Sequence, residues 1–349
     1  MRHRTLGGTG IQVSTYCLGT MMFGAIGNQD HDDCASIVHA ALDRGINFVD
    51  TADMYSGGES EEIVGKALRG RRDDVVLATK VYFPMGEDPN HRGGSRRWII
   101  RAVDDSLRRL GTEWIDLYQI HRYDPATDLD ETLGALTDLV RSGKIRAFGS
   151  SSFPPSLIAE AQSVSERRSL YRFRTEQPPY SMLSRGVEAE LLPACQRYGM
   201  GVLSWSPLAF GYLTGRYRKD RPIDLTAGRA ALAPDRFDPV LPANAAKLEA
   251  AEQLAVLAEE LGVTHPQLAV AFVAAHPAIT SVILGPRTMD QMVGLLDGAD
   301  LVLDDATLDR IDTIVPPGTD LYPADSAWRP PSLANPALRR RPLLERAAA

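Results

Sequence analysis

The chain has little of what marks membrane proteins, secreted proteins or nucleic-acid-binding proteins. No stretch of its 349 residues approaches the roughly 18 consecutive apolar residues that a membrane-spanning helix requires, so we expect no membrane partner. Residues 1–5 carry charge but no apolar run follows them, so we expect no signal peptide. Lysine and arginine total 38 against 45 aspartates and glutamates, and the net charge of −7 argues against a nucleic-acid groove.

Cysteine is also scarce. Cys17, Cys34 and Cys195 are odd in number and lack the spacing of metal ligands, so we predict no metal centre. This cysteine usage is typical of a reducing compartment, and we expect a cytoplasmic protein. The length of the chain allows a large buried core.

The start of the chain predicts a small hairpin. Two short strand patterns, 2–6 and 11–14, flank the turn Gly7-Gly8-Thr9-Gly10. These glycines also resemble a fragment of a dinucleotide-binding fingerprint, which requires a strand before it and a helix after it. Since no helix pattern follows, we interpret the motif as the turn of the hairpin.

From residue 16 onward, short apolar runs alternate with amphipathic helix patterns. Such runs are typical of parallel strands that are buried on both faces. The predicted strands are 16–19, 46–50, 75–80, 115–121, 145–150, 173–177, 201–206 and 279–284, and helices are predicted at 32–44, 59–68, 95–110 and 129–142. Eight strand–helix units in series predict an α/β protein with a closed (β/α)8 TIM barrel, which we place at 1–315 as a single domain.

Two segments interrupt this alternation. Residues 209–246 follow the seventh strand, on the face where barrels carry their active sites, and we predict that this long loop is a flap over cofactor or substrate. Residues 316–349 form a C-terminal tail with seven prolines. We expect this tail to fold across the mouth of the barrel and to close the site through Tyr322 or Trp328.

Four residues at or just after strand ends supply an acid, a phenol, a cation and an imidazole, which are the groups needed to protonate a carbonyl oxygen. Asp50, Lys80 and His121 end the second, third and fourth predicted strands, and Tyr55 follows in the loop that Asp50 opens. A carbonyl that accepts a hydride builds negative charge on its oxygen, which must then receive a proton. Tyr55 is suited to donate it, with Lys80 lowering the pKa of the phenol, Asp50 holding Lys80 charged, and His121 orienting the substrate oxygen.

Each of these four residues also has a purely structural explanation. Asp50 suits a turn, and Lys80 suits a strand end that reaches water. Tyr55 suits half-exposed packing, and His121 suits a hydrogen-bonded strand terminus. Their joint occurrence in barrel register favours a catalytic interpretation.

Several further motifs occur in a fixed order around these residues. They are Gly45-Ile46-Asn47-Phe48-Val49-Asp50-Thr51-Ala52, Ser106-Leu107-Arg108-Arg109-Leu110-Gly111-Thr112, Asp116-Leu117-Tyr118-Gln119-Ile120-His121 and Ser204-Trp205-Ser206-Pro207-Leu208-Ala209. With them, the chain resembles the aldo-keto reductases over residues 3–315. The resemblance implies an (α/β)8 barrel that binds NADPH without a Rossmann domain and uses the four residues in the roles given above.

The resemblance also implies which residues hold the cofactor. In three groups along the chain, these are Ser151, Gln177 and Trp205 at the nicotinamide, Ser206, Leu208 and Gly211 at the pyrophosphate, and Gly285, Arg287 and Gln291 at the adenosine 2′-phosphate. The donor fork of Arg287 suits a doubly charged phosphate, which favours NADPH over NADH. On pattern alone, Trp205 suits the core and Arg287 a surface charge.

Three residues depart from the family pattern at the predicted cofactor site. Ser152 stands where asparagine is usual, Leu295 replaces an asparagine that meets the adenine, and Pro286 replaces a small residue in the phosphate-binding turn. None of them belongs to the catalytic set. We therefore expect them to change cofactor affinity and selectivity more than chemistry.

The substrate is predicted only in outline. Phe23 and Tyr82 are candidates for the pocket wall together with Trp98, and Met22, Arg122 and Tyr123 lie nearby. A small-molecule carbonyl is expected, such as an aldehyde, a keto-sugar or another secondary-metabolite carbonyl. The sequence does not indicate an oligomeric state.

Two other functions remain open on the sequence. The first is a cofactor-sensing regulatory subunit, because the β subunits of potassium channels resemble this family. The second is an enoyl reductase that acts on C=C bonds of nucleotide-linked sugars. Fold alone does not decide between these functions.

Overall fold

The computed structural model describes residues 1–226, 228–326 and 328–345. The chain opens with the predicted hairpin, in which β1 (His3–Thr5) pairs antiparallel with β2 (Gln12–Ser14). The turn between them is a short 3-10 helix, Gly7–Thr9. A Cβ on Gly7 would lie 2.4 Å from the backbone oxygen of Arg174, so close packing under the barrel accounts for this glycine, in agreement with the turn interpretation.

Eight parallel strands then close into a barrel, as predicted. They are β3 (Tyr16–Gly19), β4 (Phe48–Asp50), β5 (Val76–Val81), β6 (Ile115–Ile120), β7 (Ile145–Ser151), β8 (Thr175–Gln177), β9 (Gly201–Ser204) and β10 (Ile279–Leu284). Neighbours around the barrel run β10-β3-β4-β5-β6-β7-β8-β9, and β9 pairs with β10 to close it. The fold is therefore a (β/α)8 barrel with an N-terminal hairpin, and the predicted strand ends differ by at most a few residues.

Helices surround the barrel. They are α1 (His31–Asp43), α2 (Glu59–Ala67), α3 (Arg96–Leu110), α4 (Leu129–Arg141), α5 (Pro155–Arg168), α6 (Leu191–Arg197), α7 (Gly228–Leu232), α8 (Pro242–Glu260), α9 (His265–Ala275), α10 (Met289–Leu296), α11 (Asp305–Ile314) and α12 (Pro331–Ala334). Ser95 caps α3 by accepting a hydrogen bond from the backbone of Trp98. In the described part of the chain, no helix is both long and apolar enough to cross a membrane.

One predicted boundary is wrong. The loop after β9 was expected to run to residue 246, but α8 begins at Pro242. Proline suits the first position of a helix, and the alanine-rich run that follows has high helix propensity. The loop therefore spans 205–241 and contains the 3-10 segments Ala209–Thr214 and Pro234–Arg236.

The interior of the barrel changes from apolar to polar toward its carboxyl end. Phe48, Ala78 and Leu117 belong to a buried apolar cluster that the hairpin also contacts. Asp50 and Lys80 lie two residues further along their strands, on the same face, because side chains repeat every second residue in a strand. The fold therefore places the polar candidates together at the carboxyl rim.

The C-terminal tail returns to this rim. Asp320 forms a β-bridge with Ser184, and Asp325 forms ion pairs with Arg236 of the loop after β9 and, at 3.3 Å, with Lys247 of α8. The ring of Trp328 then lies 6.5 Å from that of Tyr123, which follows β6. Trp328 thus reaches the rim, as expected.

Tyr322, the alternative to Trp328 for closing the site, contacts α8. Its ring packs under the ammonium of Lys247, with 4.6 Å between that nitrogen and the ring centroid. The tail therefore contacts the loop after β9 and α8 before it reaches Tyr123.

Candidate active site

The ammonium of Lys80 brings the predicted set together. Its Nζ donates hydrogen bonds to Oδ2 of Asp50 at 2.5 Å, to the backbone oxygen of Thr51 at 2.8 Å and to the hydroxyl of Tyr55 at 3.3 Å. These three acceptors match the three protons of an ammonium group. Lys80 is completely buried, and Asp50 is only 2% exposed.

The charge of this pair follows from a competition between burial and attraction. Burial is the largest single influence and opposes the charge on Lys80, but the Asp50 carboxylate and Tyr55, through charge and hydrogen bonds, together outweigh burial and raise the pKa of the ammonium. Lys80 is therefore charged at neutral pH. The hypothesis that Lys80 is a strand end reaching water is wrong.

Tyr55 differs from the sequence expectation in one respect. Burial raises the pKa of its phenol, and the Lys80 charge, which lowers that pKa, does not overcome it. The expected net lowering of the pKa is therefore wrong for the protein alone. The phenol of Tyr55 is protonated at neutral pH and lies beside a cation that stabilises the phenolate after proton transfer.

His121 lies across the same opening. Its ring is 5.9 Å from the Tyr55 ring in an edge-on arrangement and 4.9 Å from the ring of Phe83. Burial, together with the charges of Lys80 and Arg122, holds the pKa of the imidazole well below its usual range, so the ring is neutral. Nδ1 is buried and has no hydrogen-bond partner among the described residues.

Sequence reasoning missed Gln119. This fully buried residue of β6 donates from Nε2 to Oδ1 of Asp50 at 3.0 Å. Gln177, which the resemblance assigns to the nicotinamide, donates to the same oxygen at 3.0 Å and to Oε1 of Gln119 at 3.1 Å. The two amides thus fix the carboxylate that holds Lys80. A polar residue at an inward-facing position of an apolar strand was the signal available in the sequence.

The end of β7 places Ser151, another of the nicotinamide candidates, and the loop after it begins at Ser152. Ser151 donates to the backbone oxygen of Gln177 at 2.9 Å, so the two predicted residues are adjacent. Ser152 has a positive φ of 57°, and its buried hydroxyl has no partner among the described residues. An unpartnered buried hydroxyl beside Ser151 suits a polar ligand at this point.

A buried glutamate holds this loop. Glu176 of β8 is completely buried, and its carboxylate accepts hydrogen bonds from Oγ of Ser150 at 2.5 Å and from the backbone nitrogen of Phe153 at 3.2 Å. Burial raises the pKa of Glu176 to about 7, although these hydrogen bonds favour the carboxylate. Glu176 was absent from the sequence-based set of candidates.

The predicted pyrophosphate residues share one tight turn after β9. Oγ of Ser206 accepts from the backbone nitrogen of Phe210 at 2.9 Å, and the backbone oxygen of Leu208 accepts from the backbone nitrogen of Gly211 at 2.8 Å. Ser206, Ala209 and Phe210 all have positive φ, which is costly for residues with side chains. Such strain at three positions is typical of a functional loop.

Trp205 and the predicted 2′-phosphate residues lie at the same rim. Trp205 is half-buried and packs edge-on against Phe210 at 5.9 Å, so its ring is not a fully buried part of the core. The backbone nitrogen of Arg287 donates to Oε1 of Gln291 at 2.8 Å, and the exposed Arg287 lies just before α10. A Cβ on Gly285 would meet nothing within 4 Å, so space is open there.

Two of the three candidates for the wall of the substrate pocket are wrong. Phe23 is completely buried and Trp98 is 2% exposed, because both pack into the apolar core around the barrel. Tyr82 is half-buried, its ring lies 5.3 Å from that of Phe83 in an edge-on arrangement, and it stays a candidate for the pocket wall.

Leu295, one of the three departures from the family pattern, packs in the core, which suits an apolar residue at that position.

The comparison with family profiles identifies the family. A profile of the aldo/keto reductase family matches residues 16–316, which include the whole barrel and leave out the N-terminal hairpin. The chain belongs to the aldo/keto reductase family, and the resemblance stated from the motifs is confirmed.

Individual relatives carry several descriptions. The chain is 40% identical over 340 residues to an uncharacterized oxidoreductase of Bacillus subtilis, YrpG, covering 94% of this chain and 100% of that one. It is 36% identical to a probable voltage-gated potassium channel subunit beta of Oryza sativa, covering 92% of this chain and 100% of that one. A putative aryl-alcohol dehydrogenase of Schizosaccharomyces pombe is 38% identical, covering 60% of this chain and 68% of that one.

Glu176 generates a prediction about pH. The folded chain holds a proton on Glu176 up to about pH 7, whereas an unfolded chain releases it near the ordinary value of 4.5. The folded state therefore binds more protons in this window, and Glu176 makes stability fall as pH rises through it, by on the order of 3 kcal/mol. Glu176→Gln removes this loss. The Tm of the variant should rise relative to wild type between about pH 5 and about pH 8.

Thermal unfolding of both proteins across that range is the measurement. Exposed Glu166→Gln on α5 is the matched control, and its Tm should stay parallel to wild type at every pH. A constant difference between Glu176→Gln and wild type would contradict a raised pKa for Glu176.

Proposed function

We propose that this protein reduces an aldehyde or ketone to the alcohol, with NADPH as hydride donor and Tyr55 as proton donor. The observation that carries the proposal is the buried ammonium of Lys80, which contacts the Asp50 carboxylate at 2.5 Å and the Tyr55 hydroxyl at 3.3 Å. The Tyr55 acid, the Lys80 cation that stabilises its phenolate and the neutral imidazole of His121 lie at one rim, and carbonyl reduction requires groups of these kinds.

The protein's part in the reaction begins with a protonated phenol. When hydride reaches the carbonyl carbon, the C=O π electrons move to oxygen, and the Tyr55 O–H delivers its proton to that oxygen. The phenolate that results lies beside the charged Lys80, whose attraction favours the proton transfer. Asp50 keeps Lys80 charged, and Gln119 and Gln177 keep Asp50 in place.

His121 contributes orientation. A neutral imidazole has one N–H donor, which is suited to hold the carbonyl oxygen within reach of the Tyr55 hydroxyl. Because the pKa of His121 is depressed, the ring does not compete with Tyr55 as the acid at neutral pH. We assign it the positioning role.

The residues present fit a nicotinamide cofactor. The adjacent Ser151 and Gln177 offer polar groups for the carboxamide, and the unpartnered hydroxyl of Ser152 lies beside them. Half-buried Trp205 offers a ring face for stacking. When bound there, NADPH supplies the hydride.

The two ends of the cofactor's phosphate region have separate candidates. Ser206, Leu208 and Gly211 share the strained turn after β9, which we assign to the pyrophosphate. At the start of α10, we assign the exposed Arg287 to the 2′-phosphate, together with Gln291 and the open space at Gly285.

Removal of the Tyr55 hydroxyl tests the proton donor. Tyr55→Phe should bind NADPH as wild type does but lose turnover by about 10²- to 10⁴-fold, because only the acid is removed. Steady-state oxidation of NADPH at 340 nm with a carbonyl panel and fluorescence titration of NADPH are the measurements. Tyr171→Phe is the matched control, since Tyr171 is exposed and precedes β8 at the opposite end of the barrel.

Turnover of Tyr55→Phe equal to that of the control would remove Tyr55 from the proposed role. Loss of NADPH binding in the same variant would show a structural defect instead of a missing acid.

Arg287 tests the choice of cofactor. Arg287→Gln should weaken NADPH by about tenfold or more and leave NADH almost unchanged, because only NADPH carries the 2′-phosphate that the guanidinium would hold. Dissociation constants for both cofactors, with exposed Arg167→Gln as the control, measure this. An equal loss for NADPH and NADH would contradict a contact to the 2′-phosphate.

A second function has support from the comparisons. The Oryza sativa relative and a 35% identical relative of Arabidopsis thaliana are both described as probable voltage-gated potassium channel subunits beta. A cofactor-sensing channel subunit is therefore the alternative. Co-purification with a voltage-gated potassium channel, combined with negligible turnover on every carbonyl tested, would favour it over the reductase.

A further inference from the structure

Arg122 is a half-buried cation at the rim that the proposed mechanism does not use. It follows His121 directly after β6. Its Nη1 donates to the backbone oxygen of His121 at 2.6 Å and to Oγ of Ser151 at 3.4 Å. Its Nε and Nη2 have no acceptor among the described residues, which leaves one side of the guanidinium fork available.

No carboxylate neutralises this guanidinium. Within the described ranges, Arg122 forms no ion pair with a carboxylate oxygen within 4.0 Å. The charge of Glu176 favours the charged form of Arg122 without a contact between them. The two carboxylate oxygens of Glu176 accept hydrogen bonds from Ser150 and from the backbone of Phe153 instead. Arg236, at the same rim, is paired with Asp325. A partly buried cation without a counter-charge is unfavourable, and an anionic ligand would offset that cost.

The position of Arg122 in the barrel argues against the cofactor phosphates as that ligand. β6 lies three strands from β9 and four from β10, directly opposite β10. The turn assigned to the pyrophosphate follows β9, and the residues assigned to the 2′-phosphate follow β10. Arg122 therefore lies on the opposite side of the mouth from every phosphate of a cofactor held in that way.

The neighbours of Arg122 are aromatic. The centre of its guanidinium lies 5.9 Å from the ring centroid of Phe83, which in turn contacts His121. Tyr123 follows Arg122 in the sequence, and its ring packs against that of Trp328 at the rim. A cation that lies beside an aromatic ring suits a flat, acid-bearing organic molecule.

We propose that Arg122 binds a carboxylate of the substrate through its Nε and Nη2, so that the protein prefers carbonyl compounds that carry an acid group. The inference rests on the proposed function and names the substrate class of the same site. A side-on guanidinium fork matches the two oxygens of a carboxylate, which lysine does not reproduce.

Matched acids and esters test the proposal. The three isomers of carboxybenzaldehyde and their methyl esters are compared by kcat/KM at saturating NADPH, in wild type and in Arg122→Gln. For at least one isomer, wild type should favour the acid by about 10- to 100-fold. This ratio should fall to near one in Arg122→Gln and recover in part in Arg122→Lys. Exposed Arg146→Gln, on β7 at its amino end, should keep the wild-type ratio.

Ligand binding supplies a readout that does not require turnover. Benzoate should bind to the NADPH-saturated wild-type protein more tightly than benzamide in calorimetric titrations, and this preference should disappear in Arg122→Gln. A result of this kind without reduction of any aldehyde would support the carboxylate site while contradicting the proposed function.

Three results would overturn the proposal. The first is an acid-to-ester ratio near one for every isomer in wild type. The second is an unchanged ratio in Arg122→Gln accompanied by a higher KM for NADPH, which would assign Arg122 to the nicotinamide carboxamide. The third is an equal fall in kcat for acids and esters with a shifted pH profile, which would assign Arg122 to the tuning of Tyr55.

Discussion

The buried ion pair of Asp50 and Lys80 is the interaction on which the site depends. Taking an ammonium out of water costs several kcal/mol unless a counter-charge and hydrogen bonds replace the water. The structure meets this requirement with the Asp50 carboxylate, the Thr51 carbonyl and the Tyr55 hydroxyl. Because Tyr55 is one of the three acceptors, the same contacts that keep Lys80 charged also place the proton donor.

The barrel makes this arrangement possible. Asp50 and Lys80 come from neighbouring strands, and Gln119 and Gln177 reach the Asp50 carboxylate from two others. The inward faces of these strands are apolar below this level and polar at it, so the pair has apolar side chains beneath it and hydrogen-bonding groups around it. A closed sheet thus fixes these four side chains from four strands, and Tyr55 comes from the short 3-10 segment that follows β4.

Much of this was predictable from the sequence, because alternating apolar runs report strands buried on both faces and strand ends report the rim. The burial of Phe23 was not predictable, since an aromatic residue after a strand suits a pocket and a core equally. The pKa direction of Tyr55 depends on how far burial outweighs Lys80, which requires coordinates. The ion pair between Asp325 and Arg236 joins two irregular segments 89 residues apart, and no local pattern encodes it.

The most direct test of the account follows the hydride. A carbonyl substrate is reduced with NADPH that carries deuterium at both C4 positions of the nicotinamide, and the deuterium in the product is located by NMR and mass spectrometry. Carbonyl reduction places deuterium on the carbon that bears the new hydroxyl group. With an α,β-unsaturated substrate, deuterium on the carbon β to an intact carbonyl would show C=C reduction, and a product without deuterium would contradict hydride transfer altogether.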